Sequence, residues 1–544
     1  MTTAGQFADT VLLADTVHTL AEQGSERAAV TAVGIVDGTI AMVGTREDAS
    51  AWTAESTVVI DLGPATLTPG LVDAHTHPVM GLDLARGVDL NGYNTLEGAM
   101  GALAEYAATL GEDEWVLGWG LDPNVYGSAV MGNGPIQEAI GGRLCYITMF
   151  DSHSAVASDS ALALAGIDGQ RTFADASSIG IGDGGRPTGV LFESSAMALL
   201  QEVIPVESFA ERVERLYELL GAMAASGLTG GHVLDMQPDT LELLEEVERS
   251  RELPIRLRVS PMLRPGFTPE YLDELIALQE RHGRRWKIEG VKLMIDGTID
   301  NGTAWLYEPD NRGESTGPLW LDINQYVKAV GYLHERNVAT ATHAIGDNGI
   351  GFVAETLAAL VPNGTKHRIE HIETLPYDVL ETIVRGGIAA SMQPTHCTHY
   401  VAADHSDNWS HRLGSERANR AWRTRDLRER GATLALGSDW PIVPFDPRSI
   451  MADAQLRRPA GRVSASPVLP KQALTPRQAL EGYTTEVAAA IGSTGGVIEA
   501  GQPADFSAFA LDPLATSPDE FAEGAVMLTM IAGQVTSKDG SPVG

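Results

Sequence analysis

The stretch Thr68-Pro-Gly-Leu-Val-Asp-Ala-His-Thr-His-Pro78 decides how the rest of the chain is read. It enters from a Pro-Gly turn, runs through a short apolar strand and stops at Pro78, which has no N–H to give a ladder. Alternate residues of a strand share a face. His75 and His77 therefore point the same way, and two imidazoles so placed grip one divalent ion at about 2.0–2.1 Å per bond. Such a grip needs further ligands from elsewhere in the chain.

Working outward, seven more apolar segments follow: Leu228–Leu234, Ile255–Val259, Gly290–Ile295, Val338–His343, His367–His371, Ile388–Met392 and Thr433–Asp439. Amphipathic helical segments, for example Phe209 to Ala225 and Tyr271 to His282, alternate with them. Eight strands in a β/α alternation predict an α/β fold, a (β/α)8 TIM-type barrel. The expected barrel segment, 67–495, is longer than the roughly 250 residues of a bare barrel. Most of the excess falls after the first strand, as an insertion at about 79–210 with strands of its own at Trp115–Gly118 and Leu144–Thr148. It is expected to form a subdomain over the barrel mouth.

The two ends of the chain are β-rich. Val11–Ala14, Val58–Asp61 and a hairpin, Ala32–Val36 with Thr39–Val43 around Asp37-Gly38, precede the barrel. Asp505–Ala510 and Ala525–Ala532 follow it. Neither end has enough strands for a good sheet alone. Residues 1–66 and 496–544 are therefore expected to pair into one composite β-sandwich.

Composition narrows the function. The 544 residues carry a net charge of −34, which argues against nucleic acid as a partner. A hydrophobic content of 44% with no long apolar run predicts a globular chain without a membrane span. The N-terminus lacks a basic region followed by an apolar run, so no signal peptide is expected and the cytoplasm is the expected location. Two cysteines, Cys145 and Cys397, make no disulfide framework and read as small buried thiols. The expected partner is a small-molecule substrate.

Catalytic groups of a TIM-type barrel sit at the carboxyl ends of several strands. Here those ends carry His75 and His77, Lys292, His343, His371 and Asp439. That order of metal-binding residue types on successive strands is hard to obtain by chance.

Pro69-Gly-Leu-Val-Asp-Ala-His-Thr-His77, Thr342-His-Ala-Ile-Gly-Asp347, Arg368-Ile-Glu-His371 and Gly437-Ser-Asp439 resemble the amidohydrolase superfamily. The branch they are most similar to is the YtcJ-like group, which includes N-substituted formamide deformylase. Gly118-Trp-Gly-Leu-Asp-Pro123, Asp151-Ser-His-Ser154, Gly189-Val-Leu-Phe-Glu193, Val291-Lys-Leu-Met-Ile-Asp-Gly297 and Ser391-Met-Gln-Pro-Thr-His396 extend the resemblance over nearly the whole chain. It implies a centre of one or two divalent ions, usually Zn2+. His75, His77 and Asp439 would hold the more buried ion, and His343 and His371 the second. Lys292 would bridge them if carboxylated by CO2; unmodified, it would pair with a carboxylate such as Asp296. Related barrels commonly pair as homodimers.

Zinc lowers the pKa of a bound water to about 7 and polarises a carbonyl. Asp439 is expected as the general base that passes the proton to the leaving amine, with His396 polarising the carbonyl or binding substrate. Trp119, Asp122, His153 and Glu193 of the insertion, with Asp296 and Trp305, are the substrate-binding candidates. Asn301, Trp409, Arg412 and Arg417 lie in long loops of the kind that serve as lids. The expected activity is metal-dependent hydrolysis of a non-peptide carbon–nitrogen bond, of the amide or N-substituted formamide class. The alternatives are a deaminase of a nitrogen heterocycle, an esterase or lactonase on the same centre, and a non-catalytic metal-binding scaffold.

Overall fold

Asp37 and Gly38 both take positive φ, 48° and 70°. A two-residue hairpin turn matched to strand twist needs that, and it joins Ala32–Val36 to Thr39–Gly44 in antiparallel register. The computed structural model describes residues 7–21, 29–93, 95–127, 131–150, 154–173 and 177–543. It divides into two units: Met1–His77, Leu216–Trp440 and Pro444–Gly544 in one, and Pro78–Arg215 with Pro441–Val443 in the other.

In the first unit the hairpin belongs to a four-stranded sheet with Thr10–Leu13 and Val58–Asp61. A second, six-stranded sheet mixes the two ends of the chain. Thr66–Pro69 pairs antiparallel with Phe506–Phe509, and Val526–Ile531 and Gln534–Lys538 continue the ladder. Leu12, Ile35, Leu67, Phe506 and Leu528, drawn from both sheets, share one buried cluster.

The chain passes from this sheet into the parallel layer at Gly70. A Cβ there would lie 2.3 Å from Thr229 Oγ1, so no larger residue fits between Pro69 and Leu71. Leu71–Thr76 then starts a parallel sheet with Leu228–Val233, Arg256–Val259 and Trp286–Ile288. A second parallel sheet runs Val291–Met294, Thr340–Ala344, Arg368–His371, Ala389–Met392 and Leu434–Leu436. All eight strands read from the sequence lie in these two sheets. Their near-continuous apolar character is what parallel strands covered on both faces require.

The ladders are two open sheets rather than one closed cylinder. Only isolated parallel bridges, Thr76 with Trp440 and Met262 with Lys292, join them among the described residues. Two local causes interrupt the pairing. Trp286–Ile288, a strand not expected from the sequence, ends at Glu289-Gly290, where Gly290 takes φ +83° before the next strand begins. Leu434–Leu436 has only three residues.

The second unit holds a six-stranded sheet ordered Ser178–Ile181, Pro187–Phe192, Ser154–Ala157, Cys145–Met149, Val116–Leu121 and Val88–Asp89. The sequence foreshadowed two of these strands. Leu103 on helix Leu96–Ala108 packs with Val116, Ile136 and Ile147 in its core. Cys145 and Cys397 are free and buried, as expected. No described helix is long and apolar enough to cross a membrane.

Candidate metal centre

Asp73 fixes the two strand ends that matter most. Its Oδ1 accepts from the backbone N–H of His75 and of Ser438, each at 3.0 Å, and its Oδ2 accepts from Ser438 Oγ at 2.6 Å. Asp439 N then donates to His75 O at 2.7 Å, and His77 N to Trp440 O at 2.9 Å. A Cβ on Gly437 would lie 2.6 Å from His75 N, so glycine is what lets the strands approach. The result places Asp439 against the His75–His77 pair although 362 positions separate residues 77 and 439.

The two imidazoles are oriented by carboxylates. His75 Nδ1 donates to Glu370 Oε2 at 2.8 Å, and His77 Nδ1 donates to Asp235 Oδ1 at 2.8 Å. Each ring thereby turns Nε2 toward the centre, where it can offer a lone pair to an ion that displaces any proton held there. These Nε2 atoms are 3.2 Å apart, and Asp439 Oδ1 lies 3.2 Å from the first and 3.0 Å from the second. Burial opposes charge on His77, but Asp235 and Asp439 outweigh it and raise its pKa to about 9. Burial likewise opposes ionisation of Asp439, yet His75, His77 and His371 hold its pKa well below the usual carboxylate range. Glu370 is held down to about 2, against burial, by Arg368, His75 and Lys292.

The other strand ends complete the cluster. His371 Nδ1 donates to Gln393 Oε1 at 2.9 Å and lies 3.8 Å from Asp439 Oδ2. Its ring centroid is 4.7 Å from that of His75 and 4.5 Å from that of His343. His343 Nε2 donates to Gly297 O at 3.2 Å. Burial and the neighbouring cation Lys292 push His343 down to about 3, so its imidazole is neutral. Lys292 is buried, and burial lowers its pKa to about 8. His396, near the start of helix Pro394–Tyr400, brings Nε2 within 3.8 Å of Asp439 Oδ2. That Nε2 is buried with no hydrogen-bond partner among the described residues. Asp439 and His371 both take positive φ, 61° and 74°, a strained conformation that clusters at functional sites.

A family profile described as the amidohydrolase family matches residues 58–537. The chain belongs to the amidohydrolase family. YtcJ of Bacillus subtilis (strain 168) is 26% identical over 95% of this chain and 97% of its own. N-substituted formamide deformylase of Arthrobacter pascens is 23% identical over 97% of this chain and 98% of its own. Among solved structures, an uncharacterized metal-dependent hydrolase from Pyrococcus horikoshii OT3 superposes with a TM-score of 0.70 at 24% identity, covering 94% of this chain and 99% of that one. The side chains of this amidohydrolase can be tested against a divalent ion.

The donors fit. Two tetrahedral ligands at 2.0–2.1 Å from one ion lie roughly 3.3–3.4 Å apart, and the His75, His77 and Asp439 donor atoms are separated by 3.0–3.2 Å. His75, His371 and Asp439 form an overlapping group whose ligand atoms all lie within 4.8 Å of one another. Imidazole nitrogens and a carboxylate oxygen suit zinc.

The remaining candidates of this amidohydrolase divide by location. Asp296 is fully buried and spends its oxygens on the backbone N–H groups of Trp305, Ile345 and Gly346, at 2.8, 3.1 and 2.8 Å. It therefore shapes the backbone beside His343, and burial raises its own pKa to about 7. Trp305 is half-buried and its ring lies 5.5 Å from that of Phe352. Trp119, Asp122 and Glu193 belong to the second unit, where Glu193 takes φ +64°. His153 lies outside the described residues.

The long loops read as lid candidates are bonded to one another. Arg412 joins Asp310 Oδ2 and Glu314 Oε2, each at 2.7 Å, and Asn408 Nδ2 reaches Asp300 Oδ1 at 2.9 Å. These bonds pin the loop after Met294 to the segment after Tyr400.

The sequence reading missed Glu370, Asp235, Gln393 and Asp73 as orienting groups. Glu370, Asp73 and Gln393 stood inside the quoted motifs. Asp235 obeyed the rule used for the ligands, a carboxylate just past a parallel strand.

Proposed function

We propose that the protein hydrolyses a non-peptide carbon–nitrogen bond, of the amide or N-substituted formamide class, at a zinc centre. One observation carries this reading: three ligand atoms, His75 Nε2, His77 Nε2 and Asp439 Oδ1, converge at 3.0–3.2 Å. His75, His77 and Asp439 would hold one ion, and His343 and His371 a second, with Lys292 between them if carboxylated. An ion there supplies Lewis acidity and brings the pKa of its water towards about 7. We further read eight of these nine parallel strands, all but Trp286–Ile288, as a barrel whose seams are the Thr76–Trp440 and Met262–Lys292 bridges.

The chain's own groups then divide the work. Asp439 is ionised, so it accepts rather than donates the first proton. Its Oδ1 faces the two imidazoles, which leaves Oδ2 to take a proton from the attacking water and pass it to the leaving nitrogen. His396 is neutral, because burial pushes its pKa down to about 4. Its unpartnered Nε2 donates a hydrogen bond to the substrate carbonyl oxygen when that atom carries the proton. The carbon–nitrogen bond breaks as the proton arrives, giving an acid and an amine. The class of substrate is supported by the likeness to the formamide deformylase.

The test is a metal analysis combined with a screen of N-substituted formamides, simple amides, esters and aminated heterocycles. Zinc with turnover of formamides or amides is the expected result. Ammonia release from an aminated ring favours a deaminase, and turnover of esters alone an esterase. Loss of all turnover on reconstitution with zinc or manganese removes every enzymatic reading. Density at the Lys292 Nζ decides the bridge.

A further inference from the structure

Behind the candidate ligands the parallel strands carry charge where packing alone calls for apolar side chains. Parallel strands covered on both faces are usually filled by Val, Ile and Leu. Here Arg368 and Glu370, alternate residues of Arg368–His371, share one face of their strand, and both are buried. His232, on Leu228–Val233, is buried as well.

These groups form a chain of contacts that ends on His75. Arg368 Nη1 donates to His232 Nδ1 at 2.8 Å. His232 can accept there because burial, then Arg368 and Arg258, hold its pKa well below the usual histidine value and keep the ring neutral. Arg368 Nε lies 2.7 Å from Glu370 Oε1, and Glu370 Oε2 accepts from His75 Nδ1 at 2.8 Å. Three strands, Leu228–Val233, Arg368–His371 and Leu71–Thr76, thus each supply part of one buried line.

Glu370 Oε1 has no hydrogen-bond partner among the described residues, so charge attraction is what Arg368 supplies on that side. A buried ion pair is weak evidence for stability, since apolar residues of similar volume often serve a fold as well. Leaving one charge of such a pair alone is costly. What the pair does provide is an ionised carboxylate, fixed in a dry interior, and in that state Glu370 can hold the His75 ring.

We propose that Arg368 is a positioning residue for the metal centre: seated on His232, it neutralises and aims Glu370, which in turn sets the orientation of His75 toward the ion. The inference rests on the zinc centre proposed above, with His75 as a ligand.

Competition against a chelator measures zinc affinity, and thermal unfolding of the zinc-free protein follows the fold separately. Arg368→Met should weaken zinc binding about tenfold, the lower end of the range for partners that touch a ligand directly. Arg368→Lys, which keeps the charge, should recover most of the loss. Glu370→Gln should also weaken binding, and adding Arg368→Met to it should cost no further affinity, because Arg368 then has no carboxylate to act through. A role in folding alone would lower the zinc-free Tm and leave zinc affinity unmoved. Where Arg368→Met does not fold, the comparison of Glu370→Gln with the double variant carries the test, since no buried carboxylate is left unpaired in either. Zinc affinity unchanged by Arg368→Met, or losses that add in the double variant, overturn the proposal and leave the centre standing. No zinc binding by the parent, or affinity unchanged by His75→Ala, overturns the centre and this inference with it.

Discussion

Glu370 Oε2 lies 2.8 Å from His75 Nδ1, and this bond decides which nitrogen of His75 faces the centre. Asp235 does the same for His77 at 2.8 Å. Orienting carboxylates of this kind fix the tautomer and raise ligand basicity.

Asp235→Asn should weaken metal affinity by about 10–100-fold, the range for loss of such a partner. The measurement is competition against a chelator of known affinity, with thermal unfolding of the zinc-free protein alongside. Unchanged affinity removes the orienting role.

Asp439→Asn should keep part of its metal, since His75, His77 and His371 remain, while kcat falls by about 10²–10⁴, the share a general base contributes. Single-turnover rates on metal-matched samples check it. Full activity of His75→Ala, with metal retained, would show that the centre lies elsewhere.

Arg412→Met should cost about 3–5 kcal/mol, because it leaves Asp310, whose side chain is fully buried, without its cation. Hydrogen exchange should quicken in the loop after Met294 and in the segment after Tyr400 while the parallel strands stay protected. Exchange unchanged in both loops contradicts their mutual pinning.

His367 gives a pH dependence with a definite sign. Thr340 N and Oγ1 approach its Nδ1 at 3.1 and 2.8 Å, and its Nε2 donates to His334 Nδ1 at 2.9 Å, so the ring is held neutral. Burial, then His334, lower its pKa from 6.5 to about 4. Between these values the unfolded chain binds the extra proton, so stability is complete above about pH 6.5 and declines as pH falls to about 4. The loss has an upper limit of about 3 kcal/mol. Denaturant melts at several pH values should show that His367→Gln flattens this slope.

How much of this was legible varies with the range of the interaction. The parallel strands and helix Phe209–Ala225 were readable because apolar runs and helical periodicity are local. His75, His77, His371 and Asp439 were named because each stands at or just past the end of an apolar segment, and the structure brings them together. Trp286–Ile288 was hidden by its length of three residues and its central lysine. Asp235 was hidden because its partner His77 lies 158 residues away, and no local pattern announces such a pair. The bond between the long loops was hidden for the same reason: Arg412 meets Asp310 across 102 residues.

The strand that carries His75 begins where Thr66–Pro69 pairs with Phe506–Phe509. Its other end is bonded to Ser438 through Asp73. Assembly of the centre is therefore late in time. During synthesis a chain grows from its amino end, so the His75–His77 pair emerges long before the residues that seat it at either end. A fragment ending before residue 506 contains every proposed ligand yet lacks the antiparallel neighbour of Thr66–Pro69, and it should bind zinc more weakly than the full chain. Metal binding at the proposed centre would then depend on pairing between the two ends of the chain.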